Sequence, residues 1–225
     1  TLDHSRMPNF RKYAGTVATD LAYDPHLTYC AVWQAGVTAI AYDEKQVDGP
    51  IDSLDALFDP KYKGKVGMLS DPDELGTAGL LALGINPQTS TYADWQKSAD
   101  LLTRQRDEGI VRQYYDNSYI KALEDGDLAI SQAYSGDVFQ AQNSGYPNLK
   151  FVIPKQGGVI WRDNMVIPYH AENPVDAIEW INFAYNPGIA ALIADWVNYI
   201  CPVPSAKPII TNQLDDPTVA NSPLV

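Results

Sequence analysis

Trp161 and Asp163 stand two residues apart in the strand-like run Gly157-Gly158-Val159-Ile160-Trp161-Arg162-Asp163-Asn164-Met165-Val166-Ile167-Pro168. Side chains at i and i+2 of an extended backbone share one face, so this indole and this carboxylate can meet a single guest. A ring face attracts a cation by roughly 0.5–2 kcal/mol, and a carboxylate accepts N–H donors in charge-assisted bonds. The pair suits an organic ammonium ion. Arg162, between them, points the opposite way and reads as structural. The plainer reading, a core aromatic beside a solvated strand acid, stays open on this segment alone.

Other residues offer chemistry with competing structural duties. Tyr134-Ser135-Gly136-Asp137 follows the apolar run Leu128 to Ile130 and reads as a strand end turning at Gly136 into a helix over 137–143. Strand ends are where α/β sheets bind ligands. Asp137 would equally cap that helix, and Asp71 and Glu74 have the D-x-x-E spacing of an N-cap and its capping-box partner. Tyr114 and Tyr115 are hard oxygen donors fit for ferric iron. Neighbours on a strand face opposite sides, however, so two phenolates on one ion would need a bend there. Asp137 and Asp163 could form a glycosidase acid/base pair only at a defined separation, which the sequence does not fix, so no enzyme is expected. His4, His26 and His170 are scattered and Cys30 and Cys201 lack C-x-x-C spacing, so neither a metal nor a cofactor is expected. Two buried thiols are the default.

Composition narrows the partners. The 28 acidic and 16 basic residues give a net charge of −12, which makes nucleic acid and anionic membrane surfaces poor partners and would steer a cation inward. With 225 residues, 45% of them hydrophobic, the chain can bury one or two ordinary cores. No apolar run approaches the roughly 18–20 residues of a membrane span, so direct membrane insertion of this segment is not expected.

The elements that must position these residues alternate between strand and helix. Strands are predicted over 29–33 and 37–42, split by Gly36, then over 66–69, 111–115, 128–133, 149–153 and 158–167. Helices are predicted over 53–58, 74–83, 91–108, 119–124, 175–185 and 189–199, with Pro174 and Pro187 opening the last two. The tail over 211–225 reads as irregular. Such alternation argues for an α/β sheet.

The ordered set Tyr62-Lys63-Gly64-Lys65-Val66, Asp71-Pro72-Asp73-Glu74, Leu128-Ala129-Ile130, Tyr134-Ser135-Gly136-Asp137-Val138-Phe139, Ile153-Pro154-Lys155-Gln156-Gly157-Gly158, Trp161-Arg162-Asp163, Ile167-Pro168, Ala177-Ile178-Glu179-Trp180-Ile181-Asn182-Phe183 and Asn198-Tyr199 ahead of Pro202-Val203 resembles the spermidine/putrescine-binding proteins of bacterial ABC importers. The resemblance implies a type II periplasmic-binding-protein fold, in which two α/β lobes joined by crossover segments close over a ligand. The crossings would fall near 33–38, 159–163 and 199–204. Residues 1–36 and 161–200 would form the remainder of an amino-terminal lobe whose first part has no counterpart here. Residues 37–160 would form the carboxy-terminal lobe, with 201–225 packing on it. Cys30 and Cys201 would both lie near crossings, where a disulfide is one option. By similarity, Trp161 is an aromatic wall, Asp163 an amine-binding carboxylate, Tyr134 the opposing ring and Asp137 a further acid. Asp71 and Glu74 would hold a distal amine and Tyr199 would supply the last ring. Ala35 stands where members often carry Trp. The implied function is an extracytoplasmic receptor, periplasmic or extracellular and with lipid anchoring an option, that delivers putrescine or spermidine to a membrane permease. A receptor for another cationic or zwitterionic solute, or for ferric ion through Tyr114 and Tyr115, is the alternative.

Overall fold

The computed structural model describes residues 1–211. In chain order the regular elements are α1 (Pro8–Tyr13), α2 (Thr16–Thr19), β1 (Cys30–Asp43), β2 (Val66–Leu69), α3 (Pro72–Ala82), α4 (Tyr92–Asp107), β3 (Val111–Tyr115), α5 (Tyr119–Glu124), β4 (Ile130–Tyr134), α6 (Ser135–Asn143), β5 (Leu149–Val152), β6 (Val159–Val166), α7 (Pro174–Ala184) and α8 (Pro187–Val197), with a short helical turn at Lys207–Ile209. The polypeptide forms two compact units, one made of Thr1–Gly36 with the chain from Trp161 onward, the other of Val37–Ile160.

The second unit is built on the strand path β3-β2-β4-β1-β5, in which β2 runs parallel to β3 and β4 while β1 runs antiparallel to β4 and β5. β6 pairs with β1 off this path. The period-two alternation of a strand separates two cores. Ile40, Tyr42, Val66, Met68 and Ile130 face one, with Leu102 of α4, while Ala41, Leu69 and Ala133 face the other, with Tyr119 and Val138. Helix α4 starts from a complete capping box between Thr91 and Asp94. It lies close on α3 because Gly79 has no side chain: a Cβ there would stand 2.2 Å from Ser98 Oγ.

The first unit gathers α1, α2, the opening of β1, the run from Trp161, and α7 and α8 around Met7, Phe10, Val32, Ile178, Ile181 and Ala191. Tyr185 is buried and donates its hydroxyl to Val32 O at 2.6 Å. Val203, Ala206 and Ile210 join this core and Ile200 bridges to Ala35, so the stretch 199–204 stays within the first unit rather than crossing out of it. The expectation that 201–225 packs on the carboxy-terminal lobe is corrected accordingly for 201–211, and residues 212–225 lie outside those described. Both cysteines are free thiols. Cys30 Sγ lies 3.4 Å from Asp24 Oδ2 and Cys201 Sγ faces the carbonyls of Ala190 and Val203, and burial pushes each thiol up to about 11.

Gly36 does not split two strands. β1 is continuous through it, and what the glycine provides is room for another residue, described below. The bounds of β2, β3 and α5 coincide with the sequence reading and the remaining boundaries move by at most two residues, except that α1 and α2 lie in a stretch where the sequence reading placed no element.

Candidate functional site

Strand β6 presents Trp161 and Asp163 to residues of β1 that are themselves two apart. The indole lies on Gly36, so close that a Cβ there would fall 2.2 Å from Trp161 Cζ2. Asp163 is exposed, and its Oδ2 accepts a hydrogen bond from Gln34 Nε2 at 2.9 Å. Paired positions on neighbouring strands share a face, so these two contacts carry the same-face expectation from sequence into geometry. Arg162 turns elsewhere and donates Nε to Val17 O at 3.0 Å. Tyr199 meets the indole edge to face, with ring centroids 5.2 Å apart at 64°. Trp161 and Tyr199 thus form an aromatic corner beside an exposed carboxylate, all within the first unit. Gln34 was not singled out from the sequence. Its Oε1 is buried without a hydrogen-bond partner because the amide turns its donor side to Asp163.

The second unit holds the other candidates. Tyr134 closes β4 and occupies the N-cap position of α6, which begins at Ser135 rather than at Asp137. Asp137 therefore sits inside the first turn. Its Oδ2 accepts from the buried phenol of Tyr119 at 2.6 Å and from Asn117 Nδ2 at 3.3 Å, which corrects the reading of Asp137 as the cap of its own helix. Asp137 also lines an open depression of about 270 Å³ between α5 and α6, with Asn117, Glu124 and Gln140.

Asp71 and Glu74 divide their duties. Asp71 Oδ1 accepts from the amides of Asp73 and Glu74, each at 3.0 Å, so Asp71 is the N-cap of α3. Glu74 does not complete a capping box. Its Oε1 accepts from Thr38 Oγ1 at 2.9 Å, while its Oε2 is buried with no hydrogen-bond partner. Burial pushes the Glu74 carboxyl above the usual carboxylate range; the Thr38 bond opposes this, and the charges of Asp71 and Asp73 reinforce it. Gln132, a buried amide in β4, fixes this corner by accepting from Leu69 N at 3.2 Å and donating to Glu74 O at 2.9 Å. An acceptor stripped of water with one oxygen unsatisfied is a place where a cationic N–H donor gains most.

Tyr114 and Tyr115 point to different cores, the first packing beside Met68 and Leu102, the second beside Leu69 and Tyr119. The one register irregularity of β3 falls between Val111 and Gln113, while Tyr114 and Tyr115 pair regularly with Met68 and Leu69, and burial raises the Tyr114 hydroxyl further from phenolate. Two phenolates on one ferric ion are therefore not available. Among the described residues no group of three or more His, Cys, Asp or Glu is placed to hold a metal ion, and no helix is long and apolar enough to cross a membrane.

Two compact units and a mixed sheet flanked by helices place the chain in the class of type II periplasmic-binding-protein folds. The chain belongs to the bacterial extracellular solute-binding proteins, whose family model matches residues 1–224. It is 28% identical over 236 residues to the putrescine-binding periplasmic protein SpuD of Pseudomonas aeruginosa, covering 97% of this chain and 64% of that one. It is 26% identical over 221 residues to a spermidine/putrescine-binding periplasmic protein of Salmonella typhimurium, covering 98% and 61%. Among solved structures, a protein from Listeria monocytogenes described as a spermidine/putrescine ABC transporter superposes with a TM-score of 0.85 at 30% identity, over 92% of this chain and 63% of that one. The spermidine/putrescine ABC transporter substrate-binding protein PotD of Streptococcus pneumoniae shares the fold, with a TM-score of 0.81 at 23% identity over 98% and 67%. The chain spans less than two thirds of the length of the curated relatives it matches.

Proposed function

We propose that this chain is the ligand-gathering part of an extracytoplasmic receptor that captures a polyamine of the putrescine or spermidine type and delivers it to the permease of an ABC importer. The observation that carries the reading is the β6 corner, where an indole seated on Gly36 and a carboxylate oriented by Gln34 share one strand face. In this reading Trp161 and Tyr199 flank the methylene chain and Asp163 takes one ammonium. Tyr134 and Asp137 add a ring and an acid, and Glu74, helped by Asp71, takes a further amine. Relatives named for putrescine, agmatine and cadaverine lend support, since all three ligands are flexible organic cations.

The energetics require several such groups. A micromolar complex needs about −8 kcal/mol after an association cost of several kcal/mol or more, so one carboxylate is not enough. Each buried methylene contributes about 0.8 kcal/mol when rings exclude water, and each charge-assisted bond contributes more than a neutral one. The work is binding without bond chemistry: the form of the receptor that makes more contacts with the ligand is favoured by those contacts, and the permease reads that form. A periplasmic or extracellular location follows from that role.

Titration calorimetry of the intact protein against putrescine, cadaverine, agmatine, spermidine and spermine tests the reading. Binding of at least one is expected, and either Asp163→Ala or Trp161→Ala should abolish it while the circular dichroism spectrum stays unchanged. Absence of heat from all five would overturn the polyamine assignment, and heat from a zwitterionic amino-acid derivative instead would redirect it.

A further inference from the structure

We infer that Tyr119 is a positioning residue of the binding site, a phenol that fixes Asp137 and the backbone of Tyr134 with one hydroxyl. This rests on the polyamine reading above and adds to it a residue that does not itself touch ligand. Tyr119 lies at the start of α5, is 0% exposed, and reaches the corner where β4 becomes α6. Its Oη donates to Asp137 Oδ2 at 2.6 Å and accepts from Tyr134 N at 2.9 Å. A phenol has one proton and can accept in return, so the two bonds use complementary capacities of the same oxygen. The bond to the carboxylate is short and charge-assisted, and it removes rotamer freedom that a ligand would otherwise have to quench.

The rings of Tyr119 and Tyr134 also meet edge to face, with centroids 6.2 Å apart. One buried side chain therefore sets a ring, a backbone amide and a carboxylate in a fixed relation. The core around it is apolar, including Leu69, Leu123, Leu128 and Val138, so the phenol has few other places to put its hydroxyl. Asn117 supplies a second, longer donor to Asp137 Oδ2, at 3.3 Å.

The test compares wild type, Tyr119→Phe, Asp137→Asn and the double variant of the intact protein. Phenylalanine keeps the ring and its packing while deleting only the hydroxyl, and thermal melting checks that each variant is folded. Putrescine affinity should fall about 10-fold in Tyr119→Phe, the scale of one hydrogen bond to a charged group. The double variant should bind no more weakly than Asp137→Asn alone, because the phenol acts through that acid. Unliganded crystals of Tyr119→Phe should show the Asp137 carboxylate turned from its wild-type rotamer. Unchanged affinity, or losses that simply add, would overturn the inference, as would a carboxylate that stays in place without the phenol. If no polyamine binds the wild type, the functional reading falls, while the unliganded crystals still decide whether Tyr119 holds Asp137.

Discussion

Trp161 of the first unit and the carboxylates of the second are held by different physical means, although Asp163 of the first unit is itself oriented by Gln34. In the first, Trp161 is placed by shape: a glycine leaves a hollow, the indole fills it, and Tyr199 closes its edge. In the second, Asp137 and Glu74 are placed by hydrogen bonds from Tyr119 and Thr38, with Gln132 tying the backbone of Glu74 to β4. Shape fixes a rigid ring well because close packing tolerates few alternatives. A carboxylate rotates about two bonds in Asp and three in Glu and needs donors to choose among its rotamers. A ring and a carboxylate thus call for different scaffolding, and this chain supplies both.

The comparison is most easily broken on the side held by shape. Gly36→Val puts side-chain atoms where the indole lies, and overpacking of that kind costs about 1–3 kcal/mol. Polyamine affinity should drop by the same extent as in Trp161→Ala, with a changed tryptophan emission spectrum as the direct sign that Trp161 has moved. A variant that retains both affinity and spectrum would mean that the hollow does not position the ring.

On the side held by hydrogen bonds, Glu74→Gln should act with opposite signs on stability and binding. The carboxyl titrates above its unfolded value, so the folded state gains as pH falls through that raised value and loses as the group ionises toward neutrality. The glutamine carries no charge to desolvate, and the unliganded variant should melt roughly 2–4 °C higher at neutral pH. Its affinity for polyamine should nonetheless fall, by about 10-fold for one lost charge-assisted bond. In the wild type, an ammonium needs the ionised acid. Affinity should therefore weaken as the buffer is made mildly acidic, and binding there should release a proton. Calorimetry in buffers of different ionisation enthalpy measures that proton directly, and heats independent of buffer would count against Glu74.

The smallest effect separates the neighbouring acid. Asp71 caps α3 through Oδ1, and Asp71→Ala should cost about 1 kcal/mol, whereas Asp71→Asn keeps an oxygen for the two amides and should melt near the wild type. Affinity in Asp71→Asn should change less than in Glu74→Gln. A larger loss there would make Asp71 the principal anchor of this corner.

Much of this arrangement was legible before any coordinates, because its signals are local. Strand periodicity put Trp161 and Asp163 on one face, and Pro174 and Pro187 marked α7 and α8. Gly36 was a signal read the wrong way. A glycine within a strand can mark a break or a close approach, and only the partner, more than a hundred residues away, decides between them. Glu74 followed the capping-box spacing yet bonds to Thr38, a residue of β1 that the spacing does not point to. Tyr119 and Gln34 left no mark at all. Each acts through one polar atom on a residue distant in sequence, and neither periodicity nor spacing carries that pairing.

The Gly36–Trp161 contact has a mechanical consequence. Gly36 is the last residue of the first unit before the polypeptide departs, and Trp161 is the first on its return. The indole is thus a clasp that buttons the outgoing strand to the incoming one. Enlarging residue 36 or trimming residue 161 would therefore disturb both strands at once.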